Sequence, residues 1–181
     1  MTDSPNSAQA DAALLNMVSA LVRSGRACEA LDQLKTAVLR RKPSAKLLYF
    51  MADLQENLLD IDGALNSYRW CLRLRPDFAE AHNDLGCLLL KLGRTPEAIE
   101  SFRAAVVVNP KDLRALSNLG NALWKASEPI AAAECLERAL SITPDYPLAL
   151  CNLGMVRLAQ EKYHEAARPF HPRYRNRFHC C

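Results

Sequence analysis

Three short stretches of this chain hold residue types that perform chemistry. His164, Glu165, Ala166, Ala167 and Arg168 differ at one position from the zinc-protease pattern His-Glu-x-x-His, in which two imidazoles one helical turn apart hold the ion. Arg168 stands where the second imidazole belongs, so one ligand is missing and no zinc hydrolase is expected. Asp60, Ile61, Asp62 and Gly63 begin like a calcium loop, but helix-forming sequence follows at once and the closing acidic residue is absent. Asp62 is expected to cap a helix instead. His171, His179, Cys180 and Cys181 are metal-ligand types, yet adjacent cysteines give poor tetrahedral geometry. Cys28, Cys71, Cys87, Cys135 and Cys151 show no ligand spacing and read as buried, reduced thiols. Neither a glycine-rich phosphate loop nor a nucleophile beside a base is found. The expectation is a chain that is not an enzyme, with no catalytic residue, metal or cofactor.

What the residues do show is periodicity. Ala30, Ala64, Ala98, Ala132 and Ala166 recur every 34 residues, and Pro76, Pro110 and Pro144 keep the same step. One short unit is being copied, and a unit that short buries its apolar side only by stacking on its neighbours. Each copy holds two stretches with apolar residues at helical spacing, as in Leu85, Leu88, Leu89 and Leu92, then Ala98, Ile99, Phe102 and Ala105. Between them Gly93 is placed to end a helix, Thr95 to cap the next, and Pro96 to sit where a missing N–H costs nothing. The spacing predicts antiparallel helix pairs.

These residues resemble the tetratricopeptide repeat (TPR). Leu119, Gly120, Leu123, Ala132, Ala139 and Pro144 occupy signature places, as do Leu85, Gly86, Leu89, Gly93, Ala98, Phe102, Ala105 and Pro110. The resemblance implies an all-α fold, a right-handed α-solenoid of stacked antiparallel helix pairs. Its array spans 11–171, with units at about 11–44, 45–78, 79–112, 113–146 and 147–171, the last incomplete. Residues 1–10 form a flexible lead-in and 172–181 a basic irregular tail. In that geometry Gly86 faces Ala98, Gly120 faces Ala132 and Gly154 faces Ala166, while Tyr68, Phe102, Leu136 and Phe170 fill the gap to the next repeat. The last unit begins its second helix at about Tyr163 and loses it at Pro169. Leu150, Leu153 and Phe170 are then left uncovered, and self-association through this end is expected.

The resemblance also implies a concave groove lined by the first helix of each pair. Transferred by register, its peptide-binding residues are Asn83, Asp84, Lys91, Arg114, Asn118, Asn121, Lys125 and Asn152. Asp84, Asn118 and Asn152 share one register, and an asparagine amide both donates and accepts, so a row of them suits the main chain of an extended peptide. Tyr49, Asp53 and Asp84 stand where chaperone-binding TPRs carry basic or amide groups, which argues against a carboxylate clamp. The Asn-Leu-Gly runs at 118–120 and 152–154 are similar to repeats of O-linked N-acetylglucosamine transferases and SPINDLY-type proteins. The alternative function is therefore the non-catalytic, substrate-recruiting part of a glycosyltransferase-like enzyme.

Composition agrees with a helical chain: half the residues are hydrophobic and only 6 are glycine. No apolar run approaches a membrane span, and the start has no basic region followed by an apolar block, so a cytoplasmic protein without membrane partners is expected. The formal charge of +3 is uneven, with +4 in residues 168–181 and −1 in the rest. That segment has four arginines and no acid. It suits an acidic surface or, less well, nucleic acid. The expected function is a scaffold that binds a protein or extended peptide in its groove.

Overall fold

In the computed structural model the backbone is described for residues 5–40 and 43–167, with side chains for 9–40 and 43–160. Every regular element among these residues is an α-helix: α1 (Pro5–Arg23), α2 (Ala27–Arg40), α3 (Ala45–Asn57), α4 (Ile61–Leu74), α5 (Ala79–Lys91), α6 (Thr95–Val108), α7 (Leu113–Lys125), α8 (Pro129–Ile142) and α9 (Pro147–Ala167). They fall into two compact bodies, Met1–Val108 with α1 to α6 and Asn109–Cys181 with α7 to α9.

The periodicity comes from one turn made four times. Gly25, Leu59, Gly93 and Ser127, each 34 residues apart, hold positive φ angles of 78°, 63°, 74° and 64°. Around each, two backbone bonds close the preceding helix. Arg26, Asp60, Arg94 and Glu128 donate to the carbonyls of Leu21, Gln55, Leu89 and Leu123 at 2.8–2.9 Å, and the positive-φ residues donate to Val22, Glu56, Leu90 and Trp124 at 3.0–3.1 Å. This is the Schellman pattern, which satisfies carbonyls that a helix end leaves orphaned. The carbonyls of Arg26, Asp60, Arg94 and Glu128 then accept the first bond of the next helix, from Ala30, Ala64, Ala98 and Ala132. One residue thus ends a helix and begins its partner, so the reversal is short and the pair must be antiparallel.

Those cap positions correct two expectations. Asp60, not Asp62, caps α4: its carboxylate accepts from Gly63 N at 3.1 Å and from Gln55 Nε2 at 2.9 Å, and Gln55 Oε1 takes the buried Ser67 hydroxyl at 2.6 Å. Thr95 lies inside α6, and the preceding Arg94 makes a bidentate pair with Glu97 at 2.6–2.7 Å instead. At the far end of each full pair, Pro76, Pro110 or Pro144 stands just past the second helix, where it cannot extend it.

Two boundaries also differ from the reading of the sequence. Part of the lead-in expected over residues 1–10 is helical, because Pro5 suits a first helical position and an alanine-rich run follows. The turn expected before Tyr163 is absent, and α9 runs unbroken to Ala167. The turn register falls there on Glu161, between Gln160 and Lys162, all good helix formers with no glycine among them. Pro169, Phe170 and the rest of the tail lie outside the described residues.

Small residues let the helices of a pair cross closely. A Cβ added to Gly86 would lie 2.7 Å from the Phe102 ring, and one added to Gly120 would lie 2.7 Å from Leu136 Cγ and 3.2 Å from the Ala132 carbonyl oxygen. Phe102 and Leu136, both fully buried, therefore stand at the crossing within their own pair. Gly154 has no such neighbour within 4 Å among the described residues, and the side chain of Ala166, its expected partner, is outside them. On α9 Leu153 is buried, while Leu150 is 48% exposed and Leu158 61%.

Gly120→Leu is expected to lower stability by about 1–3 kcal/mol through overpacking against Leu136. Gly154→Ala, on an open helix face, should raise it by about 0.5–1 kcal/mol. Thermal melts of both variants check the pairing, and a stabilised Gly120→Leu protein would contradict it. Leu59→Gly relieves a left-handed leucine that is 81% exposed. Its expected gain, up to about 1 kcal/mol, is read by urea titration.

Candidate functional site

In the first body, α1, α3 and α5 are the first helices of successive pairs, and polar contacts tie α3 to α5. The Tyr49 hydroxyl donates to Asp84 Oδ2 at 2.7 Å, and Lys91 Nζ donates to Glu56 Oε1 at 2.7 Å. Tyr49 itself is wedged among rings, with centroids 5.0 Å from Phe78, 5.7 Å from Phe50 and 6.2 Å from Tyr68. Arg75 caps this cluster, its guanidinium carbon 3.6 Å from the Phe78 centroid. Phe78 closes the loop that leads into α5, so the loop, the rings and the groove-register acid form one packed assembly.

The electrostatics around Asp84 are negative. Partial burial, then the charges of Asp84 and Glu56, push the Asp53 carboxyl above its ordinary value. Burial first, and then the same three acids, push the Tyr68 phenol up. Lys91 sits beside Glu56 and is held above its usual range by that bond. Among the described residues no cation pairs with Asp53.

Beside Asp53 opens an apolar groove of about 410 Å³ between α1 and α3. Val18, Val22, Phe50 and Leu54 line it, with Arg23 and Asp53 as its charged members. Phe50 and Asp53 occupy the sixth and ninth places of the unit at 45–78, the register expected to face a groove. The register alone therefore carries the signal for both residues, while the apolar socket beside them needs the neighbouring helix to be seen.

The expected groove residues split by exposure. In the first body Asp84 is half-buried and Lys91 exposed, but Asn83 is only 2% exposed and donates to Asp84 Oδ1 at 3.0 Å. Asn83 is therefore placed to orient Asp84 and not on an open wall. In the second body Arg114 and Lys125 are exposed and Asn118 and Asn121 half-buried. Asn152, on α9, is 8% exposed, and its helix packs against α7, which carries Asn118. Ser117, one residue before Asn118, is fully buried, and its hydroxyl has no partner among the described residues.

The cysteines are less uniform than expected. Cys71 is buried, and burial pushes its thiol up to about 11, but Cys87 and Cys135 are half-buried, and Cys28 and Cys151 are exposed. Among the described residues no three His, Cys, Asp or Glu side chains gather to hold a metal ion, and no helix is long and apolar enough to cross a membrane.

A carboxyl raised in the folded state binds its proton more tightly there than in the unfolded chain. Its contribution is therefore full below about pH 4 and is lost as pH rises through the folded value. Asp53→Asn removes that loss. The variant is expected to melt slightly above the parent at pH 7, with the difference vanishing near pH 3, and a lower melting temperature at pH 7 would contradict the assigned repulsion.

A tetratricopeptide repeat model matches residues 49–112, 83–147 and 117–170. Among solved structures, MamA (41-end) from Desulfovibrio magneticus RS-1 is 27% identical, with 87% of this chain and 89% of that chain covered at a TM-score of 0.75. YrrB, described as a TPR protein with an unusual peptide-binding site, is 25% identical over 76% of this chain and 71% of its own, with a TM-score of 0.67. The first TPR of Spaghetti (RPAP3), solved with the HSP90 peptide SRMEEVD, is 19% identical over 65% of this chain and 94% of its own, with a TM-score of 0.63, and speaks for the fold alone. No curated protein matches the chain. With helix pairs repeating every 34 residues and the family model spanning 49–170, the chain belongs to the tetratricopeptide repeat family.

Proposed function

We propose that this chain is a non-catalytic interaction scaffold whose first-helix faces bind a protein segment or extended peptide. The observation that carries the reading is the polar register at Asp84, Asn118 and Asn152, repeated on successive first helices. An amide at such a position both donates and accepts, and so can pair with peptide main chain whatever its side chains. YrrB, a relative at 25% identity with a peptide-binding site, supports the same use of the fold. Arg114, Asn121 and Lys125 flank Asn118 on α7 and supply charge and further hydrogen bonds. The exposed Leu150, Met155 and Leu158 on α9 favour self-association through the C-terminal end as a second, separate contact.

The test is calorimetric titration of a peptide selected from a displayed library on the full chain. The double variant Asn118→Ala, Asn152→Ala is expected to bind it about 1–3 kcal/mol more weakly, because lost amides leave ligand main-chain groups unpaired. Helicity should be unchanged. Equal affinity in the parent and the double variant would falsify the groove assignment.

A further inference from the structure

The pair formed by α3 and α4 carries a second recess, of about 690 Å³, which shares no lining residue with the groove beside Asp53. Met51 and Gln55 of α3, both buried, line its inner part, and the exposed Asn66, Arg69, Trp70 and Arg73 of α4 line its mouth. Their spacing along α4 puts these four on one helical stripe. Gln55 is unusual for its place, because the residues 34 positions to either side, and again beyond, are Leu21, Leu89 and Leu123. Where the other units carry a leucine, this one carries an amide. Its Oε1 accepts from the Ser67 hydroxyl at 2.6 Å and its Nε2 donates to Asp60 at 2.9 Å, so the inner wall is polar and held in place.

The charged lining of this recess is of one sign: two arginines one helical turn apart, and no acid among the described residues. Neither arginine is strongly engaged. Arg69 lies 3.7 Å from a Glu97 oxygen that Arg94 already holds at 2.6 Å, and Arg73 has no ion pair among the described residues. Guanidinium groups so placed suit carboxylates, which they can bind through two parallel hydrogen bonds. Met51 and Trp70 add an apolar contact beside them, and the Trp70 ring is 37% exposed. A nucleic acid would need a wider basic field, whereas acidic and basic residues are equal in number over residues 1–108. We propose that this recess binds an acidic peptide segment of a partner protein, with Arg69 and Arg73 holding its carboxylates and an apolar side chain of the segment lying on Met51 and Trp70. The contact is separate from the first-helix faces, because α4 is the second helix of its pair.

The test titrates a capped synthetic peptide, Glu-Glu-Leu-Glu-Phe-Glu-Glu-Leu, into the full-length chain carrying Trp124→Phe, which leaves Trp70 as the single tryptophan. A saturable change in Trp70 emission is expected, weakened about tenfold by Arg73→Ala and further by Arg69→Ala, Arg73→Ala together, since each change removes a charge-assisted hydrogen bond. Both arginines are exposed, so these variants keep the fold. Rising salt should weaken binding as well, as for any exposed charge pair. A peptide with glutamine in place of every glutamate should not saturate. The proposal is overturned by absence of saturation with the acidic peptide, by an affinity that Arg73→Ala leaves unchanged, or by a single-stranded oligothymidylate that binds more tightly and with the same dependence on Arg73. Binding that falls in Asn118→Ala, Asn152→Ala and not in Arg73→Ala also overturns it, and leaves the scaffold reading standing, because those asparagines lie in the other body.

Discussion

The structure depends on a two-residue reversal in which one backbone position closes a helix and the next opens its partner. A helix end leaves carbonyls without partners, and here the shortest remedy also sets direction: the left-handed residue at 25, 59, 93 or 127 turns the chain back, and its successor accepts the first bond of the new helix. No loop length remains to be chosen, so the pair has one register. That register then determines which side chains cross, and a Cβ in place of the glycine would lie 2.7 Å from Phe102 or Leu136. Helix pairing, close packing and the choice of outward-facing residues all follow from the same turn.

How legible the turn is depends on which residue occupies it. Gly25 and Gly93 announce a left-handed position, because glycine alone takes it without penalty. Leu59 and Ser127 do not, and they are held there by the bonds on either side, against a cost of about 1–2 kcal/mol. The same limit explains α9. Without a residue that favours the turn at 161, the 34-residue step alone predicted a break that the helix does not make. Asp60 was missed as a cap for a related reason: Asp60 and Asp62 are equivalent by composition, and only the closure at Gln55 decides between them.

The candidate site was legible as a register and not as an environment. Spacing placed Asp84, Asn118 and Asn152 on successive first helices, which is a matter of counting. Whether a side chain at such a place meets solvent depends on its neighbours, and Asn83 shows the difference, since it turns inward to Asp84 and is buried. The apolar groove needed two helices from different repeats, Val18 and Val22 on α1 with Phe50 and Leu54 on α3. Each pair reads in the sequence as ordinary helix surface or core, and only their juxtaposition makes a socket.

Rigidity distinguishes this wall of the first body from a merely polar surface. Tyr49 packs on Phe78 and meets Tyr68, so its hydroxyl cannot wander from Asp84, and Asp84 is further fixed by Asn83. A ligand arriving there meets charges whose ordering cost has already been met in folding, which matters because immobilising side chains on binding costs about 0.5–1.5 kcal/mol each. Asp53 is the exception, raised in pKa by burial and by its neighbours' charges and left without a partner cation among the described residues. An acid kept where it meets repulsion is costly to the fold and favourable to a cationic ligand, because binding relieves the repulsion while forming the ion pair. If first-helix faces bind as proposed, the same carboxylate links stability to recognition: what weakens the free protein at neutral pH would favour a cationic ligand.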